Sequence, residues 1–235
     1  MIHVYYRISD SGYRKDKPPY ITKENCLKNF LSCFPNVKLN LLGDNINNPA
    51  LKDLTNSVPG ATVQFTKLGN AASFKYCFES SLKHPSEDIA YFVEDDYVHR
   101  KGSDIIMLEG FNLGAEYVSL YDHPDKYMEN VNPYVSDGGE ETKVFLSKSC
   151  HWKFTNSTTM TFAAKIKTLQ EDSPIIQSFV SSVHPNDFQM FCKLREIGRS
   201  LVTPIPGYST HGETPWLTPL TDWEKEIKLN LHQKE

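Results

Sequence analysis

The sequence predicts an α/β fold, a three-layer α/β/α sandwich around a mostly parallel central sheet. Three observations carry this: apolar, β-branched runs alternating with amphipathic stretches over the first hundred residues, one run apolar enough for a sheet's centre, and no repeat or long linker to divide the chain. With 235 residues, 39% hydrophobic and 23% charged, the chain reads as a single domain, residues 1–235.

Ile2–Ile8, rich in β-branched and aromatic residues, is expected to be a strand that opens the fold. A polar loop follows, and from Thr22 to Phe34 the spacing of Cys26, Leu27, Phe30 and Leu31 predicts a helix with Thr22 as its cap. Val37–Leu42 is a strand stopped by Gly43-Asp44-Asn45, Leu51–Val58 a short helix, Thr62–Leu68 a strand, and Gly69-Asn70 leads into a helix over Ala71–Leu82. Asp88–Val93 is almost wholly apolar, as a strand covered on both faces must be. Next come a helix over Ser103–Phe111, a strand over Glu116–Tyr121 and a loop holding Gly138-Gly139. Apolar segments at Lys143–Leu146, His151–Phe154 and Thr159–Ala163 precede helices at Ile166–Leu169, Ile175–Ser182 and Asp187–Ile197. A strand over Leu201–Pro204 and a helix from Thr221 close the pass.

A formal net charge of −4 argues against a nucleic-acid partner, whose phosphates demand many Lys and Arg contacts. No apolar stretch is long enough to span a bilayer, and MIHVYYRISD lacks the basic start and apolar core of a signal peptide, so the expected location is the cytoplasm. Five cysteines without a CxxC pair suit reduced, mostly buried thiols. Arg14, Lys15 and Lys17 read as a solvated basic loop that could still sit near a diphosphate.

The chemistry concentrates in Glu94-Asp95-Asp96, which follows the buried strand directly; ligands of open α/β sheets bind at the carboxyl ends of strands. Side chains alternate on an extended segment, so Glu94 and Asp96 share a side, and carboxylates that converge need a cation between them. Mg²⁺ or Mn²⁺, with oxygen ligands, fits that requirement.

This motif resembles the Asp-x-Asp-type motif of GT-A-fold, nucleotide-sugar-dependent glycosyltransferases, family 2-like. The resemblance implies a GT-A fold in which about 1–100 bind nucleotide and about 101–235 bind acceptor. It also implies Asp96 as metal ligand, with Glu94 and Asp95 beside the donor. Tyr6, Arg7, Ser9 and Asp10 at the end of the first strand occupy the place of the family's base and ribose contacts, and Asn70 with Ser73 that of its second nucleotide loop; helix capping is the alternative for that pair. His184-Pro185-Asn186-Asp187 resembles the motif carrying the catalytic base of inverting members, with Asn186 where Glu is usual; Asp187 is the base candidate, or only a helix cap. His211, in a Gly- and Pro-flanked loop, corresponds to a His that many metal-dependent members add to the ion, with Glu213 as its substitute. Asp122, His123, Asp125, Tyr127 and Trp152 fall where the fold meets acceptor and sugar, and His123 with Asp125 is a weaker metal pair. The implied activity is transfer of a sugar from a UDP-, GDP- or dTDP-sugar to a carbohydrate or glycan acceptor, with inversion. The alternatives are a sugar-1-phosphate nucleotidyltransferase, disfavoured by the single glycine, Gly12, between Ile8 and Lys17, and an inactive carbohydrate-binding protein on the same scaffold.

Overall fold

The structure, a computed structural model, describes residues 1–11, 15–135 and 141–231. Gly12, Arg14 and Gly138-Gly139 lie outside the described residues. In chain order the elements are β1 (Ile2–Ile8), α1 (Lys23–Cys33), β2 (Lys38–Asp44), α2 (Pro49–Asn56), β3 (Thr62–Thr66), α3 (Asn70–Ser81), β4 (Ile89–Glu94), β5 (Tyr97–His99), α4 (Ser103–Asn112) and β6 (Tyr117–Val118). They continue with β7 (Val144–Leu146), β8 (His151–Phe154), β9 (Phe162–Lys165), α5 (Ile166–Phe179), α6 (Asp187–Glu196), β10 (Leu201–Ile205), β11 (Ser209–His211) and α7 (Trp223–Leu231).

The chain divides into two compact units that interleave along the sequence: Met1–Arg14, Pro35–Asp95 and Thr159–Arg199 form the first, and Lys15–Phe34, Asp96–Thr158 and Ser200–Glu235 the second. In the first unit the strand order is β3-β2-β1-β4-β9, with β1, β2, β3 and β4 parallel and only β9 antiparallel to its neighbour. The expected α/β class with a mostly parallel sheet is therefore the observed one. Phe92 at the centre of β4 is fully buried, its ring 5.0 Å from that of Phe74 and 5.3 Å from that of Phe162, so the most apolar run is indeed the core strand. Because the chain builds β1, β2 and β3 outward and then returns to the other side of β1, the order reverses between β1 and β4, and their carboxyl ends frame the place where α/β sheets take ligands.

The second unit holds β6 parallel to β10, with β8 and β7 continuing antiparallel, and a separate antiparallel ribbon of β5 and β11. The ribbon packs on α1 and α7 through Ile21, Cys26, Val98, Trp223 and Ile227, all buried. Thr22 caps α1 as expected, its side chain accepting from Asn25 N at 3.1 Å. Cys26, Cys33 and Cys77 are buried, Cys150 and Cys192 partly so, and none of the five is in a disulfide. No helix is long and apolar enough to cross a membrane among the described residues.

Three expectations are corrected. α5 runs unbroken through Pro174, where two helices were expected. Buried Ile166, Leu169, Asp172 and Ile176 hold its inner face, and Arg199 grips Asp172 at 2.8–3.0 Å, so tertiary contacts outweigh the roughly 3 kcal/mol an internal proline costs. The strand expected over Glu116–Tyr121 is a ladder only at Tyr117–Val118. Beyond it the Ser119 hydroxyl accepts from Tyr121 N at 3.2 Å and turns the chain. Third, β11 is a strand where the sequence suggested a loop, and β5 is a strand in a stretch to which the sequence assigned no element; each is too short for periodicity to register.

Candidate functional site

Glu94, Asp95 and Asp96 are consecutive and meet three different environments. Glu94 ends β4 opposite Arg7 of β1 in the parallel register, so the two side chains leave the sheet on one face. Arg7 Nη2 donates to Glu94 Oε1 at 3.1 Å, while Nη1 donates to the carbonyl of Asn70 and to its Oδ1, both at 3.0 Å, and to Ser73 Oγ at 3.2 Å. The guanidinium also lies over the Phe74 ring, 5.5 Å from its centroid. Asn70 and Ser73 thus serve as an anchor for Arg7. Neither caps α3, whose cap position is Gly69 at φ 88° with no side-chain bond.

Asp95 Oδ2 accepts from the main-chain N–H of Ser9 at 2.7 Å, tying the end of β1 to the residue after β4. Asp10 Oδ2 accepts from Asn47 N at 2.7 Å and Asn48 N at 2.5 Å, fixing the turn before α2. Tyr6 is packed into the core with no exposed surface, so the nucleotide contact expected of it has no side-chain surface to use. Asp44, not singled out in the sequence, is 4% exposed and accepts from Thr66 Oγ1, Leu68 N and Gly69 N at 2.6–2.9 Å, holding the loop that positions Asn70.

Asp96 sits in the second unit with its side chain 5% exposed. The β5–β11 ribbon sets His211 opposite Tyr97, which brings His211 Nε2 to 3.3 Å from Asp96 Oδ2. Gly212 is required here, since a Cβ at that position would lie 2.5 Å from the Asp96 carbonyl oxygen. Lys15 Nζ at 3.0 Å and Lys17 Nζ at 2.9 Å donate to the same Asp96 oxygen, and Lys15 Nζ lies 3.0 Å from His211 Nε2. Glu213 Oε2 stands farther out, 4.0 Å from Lys15 Nζ and 3.9 Å from His211 Nδ1. Burial acts to raise the Asp96 carboxyl, but His211 when protonated, Lys15 and Lys17 together outweigh it and hold it well below the usual carboxylate range. The reading of Lys15 and Lys17 as a solvated loop is thus corrected: both are tethered to a carboxylate some eighty residues away. No local pattern marks such a pairing; only the basic cluster hinted at it.

The two groups placed at Asp96 Oδ2 and His211 Nε2 fit a divalent ion. Two cis ligands of one six-coordinate ion, each about 2.1 Å from it, lie about 3.0 Å apart. The observed 3.3 Å is close to that. Among the described residues no set of three or more His, Cys, Asp or Glu gathers on one point, so Asp96 and His211 are the two groups that would be available to such an ion.

Asp187 is the first residue of α6 and partly buried, one Oδ1 contact going to Phe188 N at 2.8 Å. Asn186 is the cap, accepting from Gln189 N at 3.3 Å, and Asp187 follows it as the first helical residue. Asp122 and Asp125, expected to offer hydroxyl contacts, are 2% and 5% exposed and face inward. Asp122 Oδ1 lies 3.0 Å from Lys153 Nζ and its Oδ2 accepts from the Tyr127 hydroxyl at 2.7 Å; Asp125 accepts from Asn132 at 2.7 Å and lies 3.0 Å from His123 Nδ1. Most of that network is local, but Lys153 reaches Asp122 from a separate segment, and that contact has no signal in sequence. Trp152 is fully buried core, while Tyr127 keeps a rim position at 44% exposed.

No protein-family model matches the sequence, and no curated protein matches it. Solved structures similar to this chain include S. aureus TarS, residues 1–349, at 12% identity over 86% of this chain and 57% of that one, TM-score 0.49. The bifunctional IspDF of Campylobacter jejuni is similar at 12% identity over 86% of this chain and 48% of that one, TM-score 0.43. The galactosyltransferase LgtC in complex with donor and acceptor sugar analogues is similar at 10% identity over 82% and 69%, TM-score 0.44. The chain spans about half the length of the first two, and each similarity is one of fold.

Proposed function

We propose that the chain is a metal-dependent glycosyltransferase. It would move a sugar from a nucleoside diphosphate donor, a UDP-, GDP- or dTDP-sugar, to a hydroxyl of a carbohydrate or glycan acceptor, with inversion at the anomeric carbon. The observation that supports this best is the approach of His211 Nε2 to Asp96 Oδ2, 3.3 Å apart and nearly out of water, on a carboxylate two residues beyond the central strand.

Asp96 and His211 are the residues that would hold Mn²⁺ or Mg²⁺, which when bound supplies positive charge to the departing diphosphate. Arg7, through Asn70 and Ser73, fixes the carboxylate of Glu94, while Asp95 fixes Ser9; these groups at the ends of β1 and β4 are the surface proposed for base and ribose. Asp187 stands at a helix start, where backbone amides and the helix dipole favour the ionised carboxylate. In the proposed step the acceptor oxygen bonds to the anomeric carbon, and the bond to the diphosphate breaks with its electron pair. The hydroxyl proton passes to Asp187, and a single displacement inverts the centre.

Calorimetric titration with UDP-, GDP- and dTDP-sugars, with Mn²⁺ or with excess chelator, tests the donor. Equal affinity under both conditions rejects metal dependence. Asp187→Asn is expected to keep donor binding and lower turnover by about a hundred- to ten-thousand-fold, the usual contribution of a positioned base. Turnover within a few fold of wild type, or a product that retains the donor's configuration, removes Asp187 from that role.

A further inference from the structure

We propose that the Lys15 ammonium is a built-in stand-in for the divalent cation, occupying the position between Asp96 and His211 until the ion displaces it. This rests on the metal reading above and adds a competitor within the chain. Lys15 Nζ lies 3.0 Å from Asp96 Oδ2 and 3.0 Å from His211 Nε2, the same two atoms that would ligate the ion. An ammonium has only donors, so the tautomer with its proton on Nδ1 is the one in which His211 Nε2 accepts from Lys15. The lone pair turned toward Lys15 is the one a metal needs. Lys15 and the ion therefore exclude each other.

Lys17 differs in a useful way. It reaches the same carboxylate oxygen at 2.9 Å, but the contact to the imidazole belongs to Lys15. Removing either lysine lowers the positive charge around Asp96 by one; only removing Lys15 also vacates the ligand position.

The charge count gives the cap a second consequence. Lys15 and Lys17 against Asp96 and Glu213 sum to zero with His211 neutral. A divalent ion in the same place raises the sum to two positive charges and frees at least one ammonium from its carboxylate. A diphosphate answers both changes, accepting from the displaced lysine while neutralising the excess. Cation and diphosphate are then coupled through Lys15: each favours the open position.

The test measures Mn²⁺ binding alone, by the electron paramagnetic resonance signal of free Mn²⁺, on wild type, Lys15→Met and Lys17→Met, with thermal melting as the control for folding. If the cap is closed about nine-tenths of the time, its removal strengthens apparent Mn²⁺ affinity about tenfold. Lys15→Met should show that gain and Lys17→Met a clearly smaller one, from charge alone. Equal gains in both variants, no gain in Lys15→Met, or no Mn²⁺ binding in any of the three overturns the cap. A second arm adds inorganic pyrophosphate. It should tighten Mn²⁺ binding to wild type by several fold more than to Lys15→Met, and an equal tightening overturns the coupling. Because neither arm uses a nucleotide sugar, failure of the transferase reading leaves both results interpretable. Lys15→Gln provides a second variant should Lys15→Met melt below the working temperature.

Discussion

Arg7 and Asp96 are both charged groups held almost out of water near one acidic run, yet their surroundings follow opposite plans. Arg7 has one carboxylate, Glu94, and three neutral or main-chain acceptors from Asn70 and Ser73 placed around its two terminal nitrogens. Its charge is matched once, and Nη1 is held by groups that cannot leave, since they belong to the first turn of a helix. Asp96 is the reverse: two flexible ammoniums and an imidazole crowd a single oxygen. The first arrangement is made of groups of fixed geometry and reads as architecture. The second is made of long side chains with several rotatable bonds, the arrangement that the proposed ion site calls for. Buried charge alone therefore does not mark a functional residue; what marks it is whether its partners are free to be exchanged.

The largest effect that tests this contrast is on stability. Arg7→Met strands the acceptors of Asn70 and Ser73, removes a partner from a partly buried Glu94, and should cost about 3 kcal/mol in urea denaturation. Lys15→Met should cost less than about 1 kcal/mol, because Lys15 is 21% exposed and Lys17 still answers Asp96. If the two substitutions cost the same, the division into architecture and exchangeable site fails.

A smaller effect loads the ribbon that carries His211 without touching either cluster. His99 of β5 is fully buried between the rings of Phe30 and Phe34, and burial pushes its imidazole down to about 3. Its folded pKa lies below the unfolded value of about 6.5, so the unfolded chain binds the extra proton between those limits. Stability is complete above the upper limit and falls as the pH drops through the window. At about pH 5 this one group should have cost about 2 kcal/mol relative to neutral pH, and His99→Gln should lose that much less over the same interval. Parallel pH profiles for variant and wild type would show that the ring is not held neutral by the fold.

Much of this was legible in the sequence, for physical reasons. Long apolar runs such as Asp88–Val93 register because burial on both faces leaves no room for polar residues. Thr22 registers because a capping hydroxyl is a local interaction. Asp96 and His211 were paired through a motif resemblance, and the antiparallel ribbon gives that pairing its geometry. What stayed hidden is non-local and short. β5 and β11 have three residues each, Lys15 and Asp96 are far apart in the chain, and Lys153 reaches Asp122 and Tyr127 from a separate segment. Periodicity and capping report on neighbours in sequence, and none of these partners is one.

Asn70 offers the smallest and most discriminating test, because the sequence allows it two roles and the structure gives it a third. Its Oδ1 accepts one of the bonds that hold Arg7, while its carbonyl accepts another that no side-chain substitution removes. Asn70→Ala therefore deletes a single hydrogen bond, worth about 1 kcal/mol, and leaves Arg7 with Glu94, Ser73 and the main chain. Alanine is also the better helix former by about 0.6 kcal/mol, which offsets part of the loss, so the net change in the denaturation midpoint should be slight. If Asn70 only anchors Arg7, nucleotide affinity in the variant stays within about twofold of wild type. If its amide also touches the nucleotide, the lost contact, now in a ligand interface, weakens binding by roughly tenfold while stability barely changes. A large stability loss with unaltered affinity would instead mean that the Arg7 clamp depends on this one amide, and that the main-chain and hydroxyl acceptors beside it carry less of the load than their distances imply.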